Sequence, residues 1–88
     1  METISNYDGR KKFKAPTTRD RLAWIVGHDE SDGCTFTYEM LEACGAPPPV
    51  REGYTFSVCY GELLAQGPDG SQTWSFDMGE WVPTPRPV

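Results

Sequence analysis

The sequence predicts an α+β fold, two short helices packed on an antiparallel β-hairpin or small sheet, and three observations carry that expectation. Leu22, Ile25 and Val26 recur at i, i+3, i+4 spacing, the apolar stripe of an amphipathic helix. Tyr54, Phe56, Val58 and Tyr60 alternate with Thr55, Ser57 and Cys59, the period-two pattern of a half-buried strand. Gly67-Pro68-Asp69-Gly70 then parts this run from a second alternating one, so the two read as a hairpin.

With 88 residues, 38% of them hydrophobic, the chain builds one core and lacks material for a second. Within that single domain, residues 1–16 read as a basic N-terminal arm or hairpin, 17–82 as the core and 83–88 as a proline-rich tail. Tyr7-Asp8-Gly9-Arg10 is a turn signal with Ile4 and Phe13 as its apolar neighbours, which leaves hairpin and ordered arm both open. Thr17-Thr18-Arg19-Asp20 fits the Ser/Thr-x-x-acid start of a helix, and Gly27 is expected to stop that helix in a left-handed conformation. His28-Asp29-Glu30-Ser31-Asp32-Gly33 has no periodicity and reads as a solvated loop.

Cys34-Thr35-Phe36 reads as a very short strand, and Thr37 is placed to cap a second helix. That helix turns Tyr38, Met40, Leu41 and Cys44 inward and ends at Gly45 and Pro47. Pro47-Pro48-Pro49 excludes helix interior and leaves room for one helical turn through Val50-Arg51-Glu52. Across the later turn, pairing Gln66 with Ser71 sets Ala65 opposite Gln72 and Leu63 opposite Trp74. Because the upstream apolar residues are even-numbered, the inward parity changes near Gly61, and a bulge at Gly61-Glu62 is expected to absorb the change. The returning strand puts Gln72, Trp74, Phe76 and Met78 on one face, and Trp24 and Trp74 are expected in the core. Prolines at 83, 85 and 87 set the tail as extended polyproline II, anchored by Trp81.

The formal charge of −5 hides an asymmetry. Arg10, Lys11, Lys12, Lys14 and Arg19 face only Glu2 and Asp8 in the first nineteen residues, whereas Arg21, Arg51 and Arg86 face eleven acids in the remainder. The arm is basic and the body acidic. An acidic body repels phosphate and favours a basic protein surface, unless the charge serves solubility alone. Asp29, Glu30 and Asp32 are its sharpest concentration, Glu39 and Glu42 extend it along the second helix, and Trp81 is the aromatic most available as an interface anchor. Arg10, Lys11, Lys12 and Lys14 are the candidates for contact with phosphate or an acidic partner.

Catalytic and metal chemistry find little footing. His28 with Cys34, Cys44 and Cys59 has the composition of a Cys₃His zinc set but no Cys-x-x-Cys or His-x-His pair to begin it. The three scattered cysteines read as reduced and buried. The acids of the 29–32 loop lack apolar neighbours to raise a carboxyl pKa, and there is no phosphate-binding glycine loop. The expectation is therefore a non-enzymatic protein without cofactor or metal. With no apolar leader behind Met1 and no long apolar run, it is expected to be soluble and cytoplasmic.

The order helix, short strand, helix, third helical turn, hairpin resembles that of a winged helix, which would make the basic arm part of a DNA-binding regulator. In that case Thr37 to Gly45 would open the helix-turn-helix, but the element after it offers only Arg51 as a base. Glu80-Trp81-Val82-Pro83-Thr84-Pro85-Arg86-Pro87 resembles the Trp-x-Pro-x-Pro-x-Pro tail of some small phage and prophage proteins. In size and acidity the chain is similar to phage-encoded inhibitors of host defence, including anti-CRISPR proteins. The resemblance implies a partner that is a host protein or nucleoprotein complex with a basic surface. A structural subunit of a virion or other assembly is the remaining alternative.

Overall fold

Ile4 faces Phe13 across a two-stranded antiparallel pair, β1 (Thr3–Ser5) and β2 (Lys12–Lys14), in a computed structural model that describes residues 2–84. The N-terminal segment is thus a hairpin. Its two apolar residues turn into the core, 7% and 3% exposed, while Lys12 and Lys14 point to solvent. Helix α1 (Arg19–Val26) follows; Thr18 caps it by accepting the Arg21 N–H at 3.1 Å. Leu22, Ile25 and Val26 are buried as their spacing requires. Gly27 ends the helix in a right-handed conformation, φ −83°, rather than the left-handed one expected. The buried Ser31 completes the stop, its hydroxyl donating to the carbonyls of His28 and Val26 at 2.9 and 3.3 Å, so orphan carbonyls at the helix end gain a donor.

After β3 (Thr35–Phe36) comes α2 (Tyr38–Ala43), capped by Thr37, whose hydroxyl accepts the Met40 N–H. Leu41 and Cys44 are buried, and Tyr38 and Met40 pack partly against the core. The helical turn that Val50–Glu52 left open does not form, so no helix follows α2 among the described residues. The helix-turn-helix reading thereby loses its recognition helix.

The rest is strand: β4 (Thr55–Cys59), β5 (Glu62–Gly67), β6 (Gly70–Ser75) and β7 (Glu80–Pro83), which join β3 in one antiparallel sheet ordered β3-β4-β5-β6-β7. The expected Gln66/Ser71 and Ala65/Gln72 pairs are present. The bulge at Gly61-Glu62 is not. Tyr60 and Gly61, at φ 50° and 76°, both lie in the left-handed region and form a two-residue hairpin turn of the primed kind. The chain reverses there, setting Val58 opposite Leu63 and Phe56 opposite Ala65, so a turn accounts for the change in parity.

Two further expectations are corrected on the same sheet. Strand β6 ends at Ser75, whose hydroxyl takes the Met78 N–H, and Phe76 and Met78 fall in the turn, 41% and 60% exposed. Residues 81–83 pair with β6 instead of running as polyproline II. Pro83 is tolerated because Thr84 N–H bonds Ser71 at 3.1 Å; in an alternating ladder the neighbouring position 83 then points off the sheet edge, where no donor is needed. The remainder of the tail, 85–88, lies outside the described residues.

The row Phe36, Phe56, Ala65 continues into Gln72 and Pro83 on the face turned to the helices, and the row Thr35, Ser57, Leu64, Thr73, Val82 lies on the other face. Phe36, Phe56, Val58, Leu63, Ala65 and Trp74 join the helical residues in one buried cluster. Trp24 does not. It is 49% exposed and stacks on the surface between Arg21, 4.3 Å from its ring, and His28, 5.0 Å away.

Candidate binding surface

Asp32 ties three separate turns together. Its carbonyl accepts the Tyr7 N–H from the β1–β2 turn at 3.2 Å, and its carboxylate Oδ1 accepts the Tyr60 N–H from the β4–β5 turn at 3.1 Å. Gly33 beside it donates to Val58 at 3.0 Å. Gly33 is at φ 87°, and a Cβ there would fall 2.4 Å from the Tyr7 Cβ and 2.6 Å from its nitrogen. Only a glycine lets the N-terminal hairpin approach the acidic loop this closely.

The result is a surface with two adjoining hollows that share Tyr7 and Asp32. One, of about 500 Å³, is lined by Ser57, Cys59 and Gln66 together with Tyr7, Asp32 and Tyr60. The other, of about 220 Å³, is lined by Asn6, Asp8, Asp29 and Glu30, again with Tyr7 and Asp32. Among the described residues, no Lys or Arg lines either hollow. Tyr7 and Tyr60 are 78% and 89% exposed. Tyr60 is also the one non-glycine residue at positive φ among those described, a conformation in which the Cβ of an L-residue crowds its own backbone.

Asp29, Glu30 and Asp32 therefore lie on one surface, as the sequence suggests, and Asp8 joins them from the hairpin turn. Glu39 and Glu42 do not line it; they ride on α2, where Glu39 pairs with Arg51, itself stacked over Tyr38. Trp81 is a structural anchor. Its indole N–H donates to the Ala46 carbonyl at 3.3 Å, and its ring stands 5.5 Å from that of Trp74. Together with Arg19, Pro47, Pro49 and Glu80, these rings border a separate groove of about 370 Å³. Of the basic residues, Arg10 is exposed in the turn, Lys11 lies 5.6 Å from the Phe13 ring, and Lys12 and Lys14 point outward from β2.

Tyr7, Asp8 and Tyr60 are among the members of this surface that sequence reasoning misses. Asp8 reads as one half of an Asp-Gly turn, and Tyr60 as the last inward residue of a strand. The signal that marks Tyr60 is Gly61 directly after it, since a two-residue turn ends naturally in glycine.

Two of the three thiols are held neutral by burial. Cys34 and Cys44 are buried, and burial pushes both above the ordinary thiol value of 9.0; the charge of Asp32 adds to the effect at Cys34. Thiols held neutral are poor nucleophiles and poor metal ligands. Cys59, expected to be buried, is half-buried and lines the larger hollow. Among the described residues no group of three His, Cys, Asp or Glu side chains is placed to hold a metal, and no helix is long and apolar enough to cross a membrane.

Neither a protein-family model, nor a curated protein, nor a solved structure matches the chain.

Proposed function

We propose that the chain is a small non-enzymatic binding protein that engages a basic surface on a host protein or nucleoprotein complex through the face built around Asp32. The observation that carries this reading is the gathering of Asp8, Asp29, Glu30 and Asp32 beside two exposed tyrosines, with no cation among the described lining residues. Such a face attracts cationic partners over distances of about a Debye length, roughly 10 Å at 0.1 M salt. Exposed aromatic rings within it supply contact area at low entropic cost.

The finer reading is a phage-encoded inhibitor of a host defence or nucleic-acid-handling complex, acting in the host cytoplasm. It rests on the Trp-x-Pro-x-Pro tail, the small size and the acidity. Its test is affinity capture from bacterial host lysate with the parent protein and with the triple variant Asp8→Lys, Asp29→Lys, Glu30→Lys. Among the described residues, these three side chains make no hydrogen bond, the Glu30 contact to His28 being through its main-chain N–H. The parent should retain a protein that elutes with salt and that the variant fails to retain. Equal capture by both would remove the acidic face from the function.

A further inference from the structure

We propose that the hollow between Tyr7 and Tyr60 receives an arginine side chain of the partner, a deepening that rests on the acidic-face reading above. The two rings are the most exposed large hydrophobic side chains described, at 78% and 89%. Neither is explained by the fold. A primed two-residue turn selects Asn, Asp or Gly at its first position, yet position 60 holds a tyrosine at φ 50°. The turn would form more easily without it, so the turn does not account for the ring. The main chain under both rings is held by one residue, since the carbonyl and the carboxylate of Asp32 accept the N–H groups of Tyr7 and Tyr60. A surface ordered in advance loses less entropy on binding.

The lining selects the ligand. Phenol rings present a negative π-face, and Asp32 stands between the two tyrosines with one carboxylate oxygen committed to Tyr60. A guanidinium is planar, weakly hydrated and always charged; it stacks on an aromatic face while its edge donates to a carboxylate. A lysine ammonium is compact and strongly hydrated, and gains less from the rings. Phosphate is disfavoured, because Asp32 in this hollow and Asp8, Asp29 and Glu30 in the next meet no Lys or Arg among the described lining residues.

The test is fluorescence anisotropy with two labelled peptides of equal length and charge, one alternating arginine with glycine and the other lysine with glycine, at about 0.1 M salt. The parent should bind the arginine peptide about tenfold more tightly. The double variant Tyr7→Ser, Tyr60→Asn keeps the net charge and places Asn, which tolerates positive φ, in the turn. It should bring the two affinities within about twofold of each other. Equal affinities in the parent, or an arginine preference that survives in the double variant, would overturn the proposal while leaving the acidic face intact. Binding of neither peptide would remove the acidic-face reading itself. Dimerisation of the peptide-free parent, lost in the double variant, would assign the hollow to a second copy of the chain and overturn it as well.

Discussion

Asp32 holds Tyr60 across a separation of 28 residues, its carboxylate accepting the Tyr60 N–H at 3.1 Å. The contact joins the loop after α1 to the turn between β4 and β5, and so couples the most acidic stretch of the chain to its most exposed ring. Asp32→Ala removes the acceptor and is expected to cost about 1 kcal/mol in urea denaturation. Asp32→Asn retains a side-chain oxygen and should recover most of that loss. Equal losses in both would mean that the charge, not the hydrogen bond, supports the turn.

The conformation of Tyr60 sets a second expectation. A left-handed φ costs an ordinary L-residue about 1–2 kcal/mol, and Asn or Gly relieves most of it. Tyr60→Asn and Tyr60→Gly should each raise the thermal midpoint, by about 4–8 °C per kcal/mol recovered in a domain of this size. A fall in the midpoint would show that the ring supports the fold.

Gly33 is the position where a methyl group should do most harm for its size. The added Cβ meets the Tyr7 main chain at 2.6 Å, and backbone cannot yield as a flexible side chain does. Gly33→Ala is expected to lose about 1–3 kcal/mol and to loosen the N-terminal hairpin first. Amide hydrogen exchange should show the loss of protection at 3–14 exceeding that in β5.

Leu63 and Leu22 are fully buried, one in the central strand and one in α1. Truncation of either to Ala should cost about 2–5 kcal/mol, read as a lower urea midpoint at unchanged slope.

The buried thiols are expected to make stability fall at alkaline pH. Burial raises Cys34 and Cys44 above 9.0 in the folded chain, so both states are protonated below that value and the contribution is fully present there. Above it the unfolded chain ionises first, and the contribution is lost as pH rises through the raised folded values. The urea midpoint should drop as pH rises above 9.0, and drop less in the double variant Cys34→Ala, Cys44→Ala. The difference between the two slopes is the quantity to read.

The parts of this fold legible in the sequence are those decided within a few residues. Thr18 and Thr37 cap helices because each offers its hydroxyl to an N–H three residues on. The Gly67–Gly70 turn and its register follow from local turn chemistry. The parts that were not legible depend on distant partners. The Tyr60-Gly61 reversal was hidden by a tyrosine where turns usually carry Asn, and Asp32, remote in sequence, supports the turn by accepting the Tyr60 N–H. Pro83 argued against a strand until its register placed it on the outward side of an edge. Trp24 was assigned to the core from its residue type, yet it follows Leu22 by two positions on α1 and so leaves the buried stripe. The acidic loop was visible as a run of charges; its union with Asp8, Tyr7 and Tyr60 is a tertiary event.

The location of binding is tested most directly by nuclear magnetic resonance titration of the ¹⁵N-labelled protein with the arginine–glycine peptide. The expected result is a set of saturable amide shifts confined to 6–8, 29–33, 57–60 and 66, with β7 and the Trp24 surface unmoved. Shifts centred on Trp24, or on the groove between Trp74, Trp81 and Pro47, would contradict the assignment of the Asp32 face as the binding surface.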